Sequence, residues 1–227
     1  MDRQDIIKKT ETFVKETLGK DSTGHDWWHV HRVRNLAKRI ARHEDADIFI
    51  VELAALLHDI GDYKFFQGDE AGAVKVREWL SSLEISPSLI DKIVEITSQI
   101  SFMHTLPDKG KRKGKKNSSA AAISKELMAV TDADRLDAMG AIGIARAFTY
   151  GGFFNRSIYD PIIKPSKSIT KEEYKTTEAP SINHFYEKLL KLKDMMYTPF
   201  GRKMAKRRHR FLNLYLKQFF KEWKGKM

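Results

Sequence analysis

Between Asp47 and Asp59 the chain is apolar at Ile50, Val51, Leu53, Ala54, Ala55, Leu56 and Leu57. So continuous a run leaves almost no polar face, so the helix it predicts must be enclosed on most sides by other elements. It ends on His58-Asp59, with Gly61 as its stop. Two ionisable side chains at the end of the most apolar helix are costly to bury unless something compensates them. Asp59 also falls near a helix C-terminus, whose partial negative charge disfavours a carboxylate; a bound cation reverses the sign of that interaction.

The surrounding segments share helical periodicity. From Trp28 onward, His29, Val33, Leu36, Ala37 and Ile40 recur at spacings of three and four and fall on one face. Segments 71–83 and 88–100 read as amphipathic outer helices, the second introduced by Ser86-Pro87. A long helix is expected over about 120–148, where Leu127, Val130, Asp134, Ala138, Ala141, Ala145 and Phe148 form one stripe, with Gly151-Gly152 ending it. Pro161, Pro165 and Pro180 make 155–180 mostly irregular, and helices over 182–197 and 201–223 close the chain. Residues 106–119, which carry Lys109, Lys111, Arg112, Lys113, Lys115 and Lys116, lack an apolar anchor and are expected to form a mobile loop. No internal repeat or strand-rich block is visible. The expectation is one all-α domain over 1–227, with its functional core at about 20–150 and a C-terminal helical extension at about 181–227.

Asp134 gives the same signal as His58-Asp59 from a different helix, since it sits on the apolar stripe while Asp132 points elsewhere. His29 repeats it on a third. Three helices thus each deliver a nitrogen or oxygen ligand into apolar surroundings, which core packing explains poorly. With no cysteine in the chain, a metal site must use imidazole and carboxylate. His29, His58, Asp59 and Asp134 around one divalent ion leave open positions for water, which suits Mn, Fe, Co, Ni or Mg better than a closed structural zinc.

At these residues the chain resembles the HD superfamily of metal-dependent phosphohydrolases. His29-Val30-His31-Arg32-Val33 is similar to that family's His-x-x-Arg-Val element. His58-Asp59-Ile60-Gly61-Asp62 resembles its central element, and Asp132-Ala133-Asp134-Arg135-Leu136-Asp137 its last, with the final ligand mapping to Asp134. His25-Asp26-Trp27-Trp28-His29, the stretch from Asp134 to Gly143, and Glu222-Trp223 extend the resemblance to a bacterial, nucleotide-pyrophosphatase-like subgroup. The resemblance implies an HD-domain helical bundle with additional C-terminal helices.

Further roles follow from position. Asp62, four residues beyond His58, is placed to orient or deprotonate a water, or to cap the following turn. Asp137, one turn from Asp134, is either a hydrogen-bonded partner of the ligands or an alternative base. Arg32 and Lys64 are candidates for binding substrate phosphates, Arg146 for lining an outer pocket, and His25 for touching substrate. His31 and His104 are not needed as ligands. Trp27, Trp28, Tyr63, Phe65 and Phe66 flank the ligand elements and serve either base stacking or core packing.

The expected activity is hydrolysis of a nucleotide-type phosphoester or phosphoanhydride by a metal-activated water, for instance a nucleoside triphosphate to monophosphate plus pyrophosphate. The net charge of +11 keeps a second reading open, a basic nucleic-acid-binding or regulatory protein with a structural metal site. Both basic clusters, 109–116 and the C-terminal segment, read more simply as solvated surfaces, so nucleic acid is not the favoured partner. The first residues lack a signal-peptide pattern and no apolar run approaches the roughly 20 residues that span a bilayer, so a cytoplasmic protein without membrane contact is expected.

Overall fold

Asp47 caps the apolar helix α3, Ile48–Leu57, by accepting from the backbone N–H groups of Phe49 and Ile50 at 2.8 and 3.2 Å. Every residue from Ile50 to Leu57 on this helix is buried. It packs against α1 (Arg3–Leu18), α2 (Trp27–Glu44), α5 (Pro87–Gln99) and α6 (Lys125–Asp137). Enclosure of Leu53, Leu56 and Leu57 stabilises the fold by roughly 1.5–3 kcal/mol per side chain. The computed structural model describes residues 1–19, 21–60, 69–107, 123–167, 170–176 and 178–226, and among them no strand occurs. No helix of the described residues is long and apolar enough to cross a membrane.

Caps fix the other helices that matter for the site. Asp26 accepts from the His29 N–H at 2.9 Å and starts α2, while Asp45, left-handed at φ 54°, closes it. Ser124 caps α6 through Leu127 N–H. Glu126, half a turn later, accepts from Asp47 N–H and pairs with Lys92, tying the starts of α3 and α6 to α5. A helix pair, α4 (Asp69–Ser81) with α5, flanks this centre. The first helix, α1, was not anticipated from periodicity; Ile6, Ile7, Thr10, Val14 and Leu18 are its buried face.

Two expectations need correction. The long helix over 120–148 is two helices, α6 and α7 (Gly140–Phe153), because Gly140 takes φ +70° and Met139 is extended. A side chain at Gly140 would meet Arg208 at 3.2 Å, so the break is also a close approach. The helix expected over 182–197 is divided into α9 (Ser181–His184), a π turn (Phe185–Leu189) and a 3-10 turn (Leu192–Met195). The irregular stretch before it carries a short helix, α8 (Lys171–Thr176). Most of the basic loop and the helix stop Gly61 lie outside the described residues.

The last helix, α10 (Pro199–Trp223), lies across α6 and α7 and touches α2. Its first turn is anchored by Asp132, a fully buried carboxylate that accepts from Tyr197 N–H, Thr198 N–H and the Thr198 hydroxyl. Further along, the Arg208 guanidinium donates to the Leu136 carbonyl at the end of α6. The C-terminal extension therefore holds the α6–α7 break in place.

Candidate metal centre

His29 on the first turn of α2, His58 at the C-terminal end of α3 and Asp59 one residue later converge in the interior, all three buried. Their ligand atoms lie within 4.8 Å of one another, a group that can hold a metal ion. The two imidazole Nε2 atoms are 3.2 Å apart; Asp59 Oδ2 is 3.3 Å from His29 Nε2, and Asp59 Oδ1 is 3.4 Å from His58 Nε2. Asp134 on α6 forms a looser fourth corner, its Oδ1 3.5 Å from His29 Nε2 and 4.0 Å from His58 Nε2. Three of the four expected ligands form the group, and Asp134 stands beside both imidazoles.

Tautomers decide what these distances mean. His29 Nδ1 lies 2.7 Å from Asp137 Oδ2, and His58 Nδ1 lies 2.8 Å from the Ala55 carbonyl. Both partners only accept, so both Nδ1 atoms carry hydrogen. The facing Nε2 atoms of a neutral pair would then present two lone pairs to each other, an arrangement stabilised only by a proton or a cation at the centre. Among the described residues Asp59 Oδ2 has no hydrogen-bond partner despite its burial and its closeness to His29, another acceptor open to positive charge. Ligands at about 2.1 Å from one ion in an octahedral shell stand about 3 Å apart, close to the separations seen. The residues therefore fit a divalent cation.

The electrostatics agree. Burial pushes His29 below the usual histidine range, and Arg146 adds to the effect, so this imidazole is held neutral as a ligand must be. Burial also opposes charge on His58, but the carboxylates of Asp59 and Asp134 outweigh it and raise that histidine. Burial disfavours ionised Asp134, yet His58, His29, Arg146 and Lys188 together hold it below the usual carboxylate range. Asp59 and Asp134 thus place negative charge beside the two imidazoles, which favours positive charge at the centre.

Asp137 lies behind His29 rather than in the cluster. It accepts from Arg32 Nε at 2.8 Å and Nη2 at 3.0 Å, from His29, and from Arg146 Nη1 at 3.2 Å. These donors outweigh its burial and depress its pKa strongly. Of the two roles open to it from sequence, its contacts serve that of hydrogen-bonded partner. Arg32, expected on phosphate, is turned onto this carboxylate. Arg146 also donates to the Gly24 carbonyl at 2.8 Å. Asp62 and Lys64 fall outside the described residues, as do Tyr63, Phe65 and Phe66. Trp27 is buried under Lys15, whereas Trp28 is exposed.

A cleft adjoins the cluster. His25 and Arg146 line it, and the His25 ring stands edge-on to His29 with centroids 5.7 Å apart. Its other walls include Tyr150, Arg156, Tyr174 and Lys188. Sequence reasoning missed Arg156, Tyr174 and Lys188: two lie in the stretch read as irregular, and a lysine on a half-buried helix face carries no pattern.

Comparison with known proteins follows the same lines. A model of the HD domain matches residues 27–139. The uncharacterised protein YpgQ of Bacillus subtilis strain 168 is 36% identical over 218 residues, covering 96% of this chain and 94% of YpgQ. YpgQ has been solved in complex with ADP, a structure with TM-score 0.71 and 33% identity that spans 95% of this chain and 97% of that one. A Lactobacillus plantarum structure gives TM-score 0.84 at 33% identity, covering 99% and 100% of the two chains. An HD-superfamily hydrolase of Bacillus thuringiensis gives 0.72 at 41%, covering 98% and 99%.

Proposed function

This chain belongs to the HD-domain family and is a metal-dependent hydrolase, and from that premise we propose that it cleaves a phosphoester or phosphoanhydride bond in a nucleotide. The observation that carries the reading is the pair of facing Nε2 atoms, flanked by Asp59 and Asp134 and opening beside a cationic cleft. The ADP complex of the B. subtilis relative supports a nucleotide as the molecule that enters. A nucleoside triphosphate split to monophosphate and pyrophosphate is the reaction we favour.

His29, His58, Asp59 and Asp134 would hold the ion. A divalent cation at this position supplies Lewis acidity towards a phosphoryl oxygen and lowers the pKa of a water it binds. The chain's own residues do the rest. Asp137 takes the His29 Nδ1 proton in a hydrogen bond and so aims Nε2 at the centre; Arg32 and Arg146 hold Asp137 ionised for that task. Arg146 and His25 stand between the cluster and the cleft, where phosphate oxygens meet charge-assisted donors. Asp62 is assigned to orient or deprotonate the attacking water and Lys64 to contact phosphate.

The test is a panel of nucleoside mono-, di- and triphosphates, cyclic nucleotides and a generic phosphodiester, assayed with Mn, Co, Ni or Mg beside Asp59→Ala. Turnover by the wild type with a loss of about a hundredfold or more in the variant is expected. A variant as fast as the wild type on every substrate would sink the mechanism.

A further inference from the structure

We propose that Arg156 and Lys188 form a diphosphate-binding subsite in the cleft, which grips the phosphates of the nucleotide beyond the one attacked. The attached nucleoside and the attack on a neighbouring phosphate rest on the function proposed above; the subsite itself is a site for two linked phosphates.

Both cations are half-buried and line the cleft, and neither makes a salt bridge to a carboxylate among the described residues. Arg156 lies over the rings of Tyr150 and Phe154, 5.3 and 5.8 Å from their centroids. Lys188 lies over Phe102 at 4.8 Å and Tyr174 at 5.7 Å, and donates to the Tyr174 hydroxyl at 3.2 Å. Ring faces orient a cation and shield it from water, but they leave its charge uncompensated. Among the described residues the cleft wall carries no Asp or Glu at all. Arg146, the third cation, already pairs with Asp137 beside the metal centre and is not counted in the subsite. Two half-buried positive charges without salt-bridge partners on the cleft wall are matched by a ligand with at least two negative ones.

Backbone geometry keeps the pair in place. A side chain at Gly151 would meet Ser181 Oγ at 2.0 Å, so glycine lets the end of α7 close against the start of α9. The Arg156 N–H donates to the Gly151 carbonyl at 2.8 Å, which fixes Arg156 at that junction. Arg156 and Lys188 both fall outside residues 27–139, so this subsite is supplied by the part of the chain beyond the HD match.

Metal-free protein titrated calorimetrically with inorganic pyrophosphate and with orthophosphate decides the matter. Saturable binding tighter for pyrophosphate is expected, weakened roughly tenfold or more in Arg156→Gln/Lys188→Gln. Arg207→Gln/Lys217→Gln, which removes the same charge from the exposed face of α10, should leave it within about twofold. Arg156→Met/Lys188→Met keeps the stems packed and should reproduce the first loss with an unchanged melting temperature. No saturable pyrophosphate binding by the wild type, or equal weakening by the α10 pair, overturns the proposal. With metal restored, the Arg156/Lys188 pair should raise KM for a nucleoside triphosphate and spare a generic phosphodiester; equal effects on both also overturn it. If the wild type hydrolyses no nucleotide, the hydrolase reading fails while the pyrophosphate titration still decides the subsite.

Discussion

Asp137 Oδ2 lies 2.7 Å from His29 Nδ1, and that one contact decides which imidazole nitrogen faces the metal centre. Because Arg32 and Arg146 claim the same carboxylate, it is anchored from three sides. Asp137→Asn should therefore weaken Mn binding by about 10–100-fold, with turnover falling only as far as occupancy does. A Mn titration followed by electron paramagnetic resonance reads the affinity directly. Wild-type affinity with turnover abolished would instead make Asp137 the base.

Acidity should act on the metal-free centre and the metal-loaded centre in opposite directions. His58 is raised above its unfolded value of about 6.5 by Asp59 and Asp134, although burial opposes it. In the metal-free protein the resulting stabilisation is full below about pH 6.5 and is lost as pH rises through the raised value. A cation can enter only when that proton leaves, so binding should release about one proton and weaken as pH falls. The melting-temperature gain on adding Mn should be larger at about pH 8.5 than at about pH 6. A gain that does not change with pH would show that His58 is not a ligand.

The proposed metal ligands were legible in the sequence because each contradicts its surroundings: His29, His58-Asp59 and Asp134 are polar where periodicity demands apolar residues. What held them was less legible. Ala55 contributes a backbone carbonyl to His58, and no side-chain pattern records that. Asp137 was visible as a neighbour of Asp134, but its three donors come from residues 29, 32 and 146, joined only by the fold. The division of the long helix was missed because the apolar stripe continues across Ala138 and Ala141. Periodicity reports which face is buried and is silent on backbone sign.

That division makes its own prediction. Gly140 combines φ +70° with a contact from Arg208 to its Cα side, so Gly140→Ala adds both backbone strain and a close approach. A loss of roughly 1–2 kcal/mol, or about 2–8 °C in melting temperature, is expected. In a double-mutant cycle the cost of Gly140→Ala should be smaller in an Arg208→Ala background, since part of the close approach is removed. An unchanged cost in that background would show that the Arg208 side chain beyond Cβ contributes nothing to it.

Asp132 provides the last test, because it separates the anchoring of α10 from the chemistry two residues away. Its buried carboxylate accepts three hydrogen bonds from Tyr197 and Thr198, and Thr198 in turn caps α10 through the Gly201 N–H at 2.9 Å. Asp132→Ala strands those donors, at a cost of about 2–4 kcal/mol. The substitution also loosens the start of the helix whose Arg208 holds the end of α6. Metal affinity per folded molecule should change little, since no ligand or ligand partner touches Asp132, whereas urea denaturation should begin at markedly lower concentration. If metal affinity drops as far as in Asp137→Asn while stability is kept, Asp132 belongs to the metal centre and α10 is not what it serves.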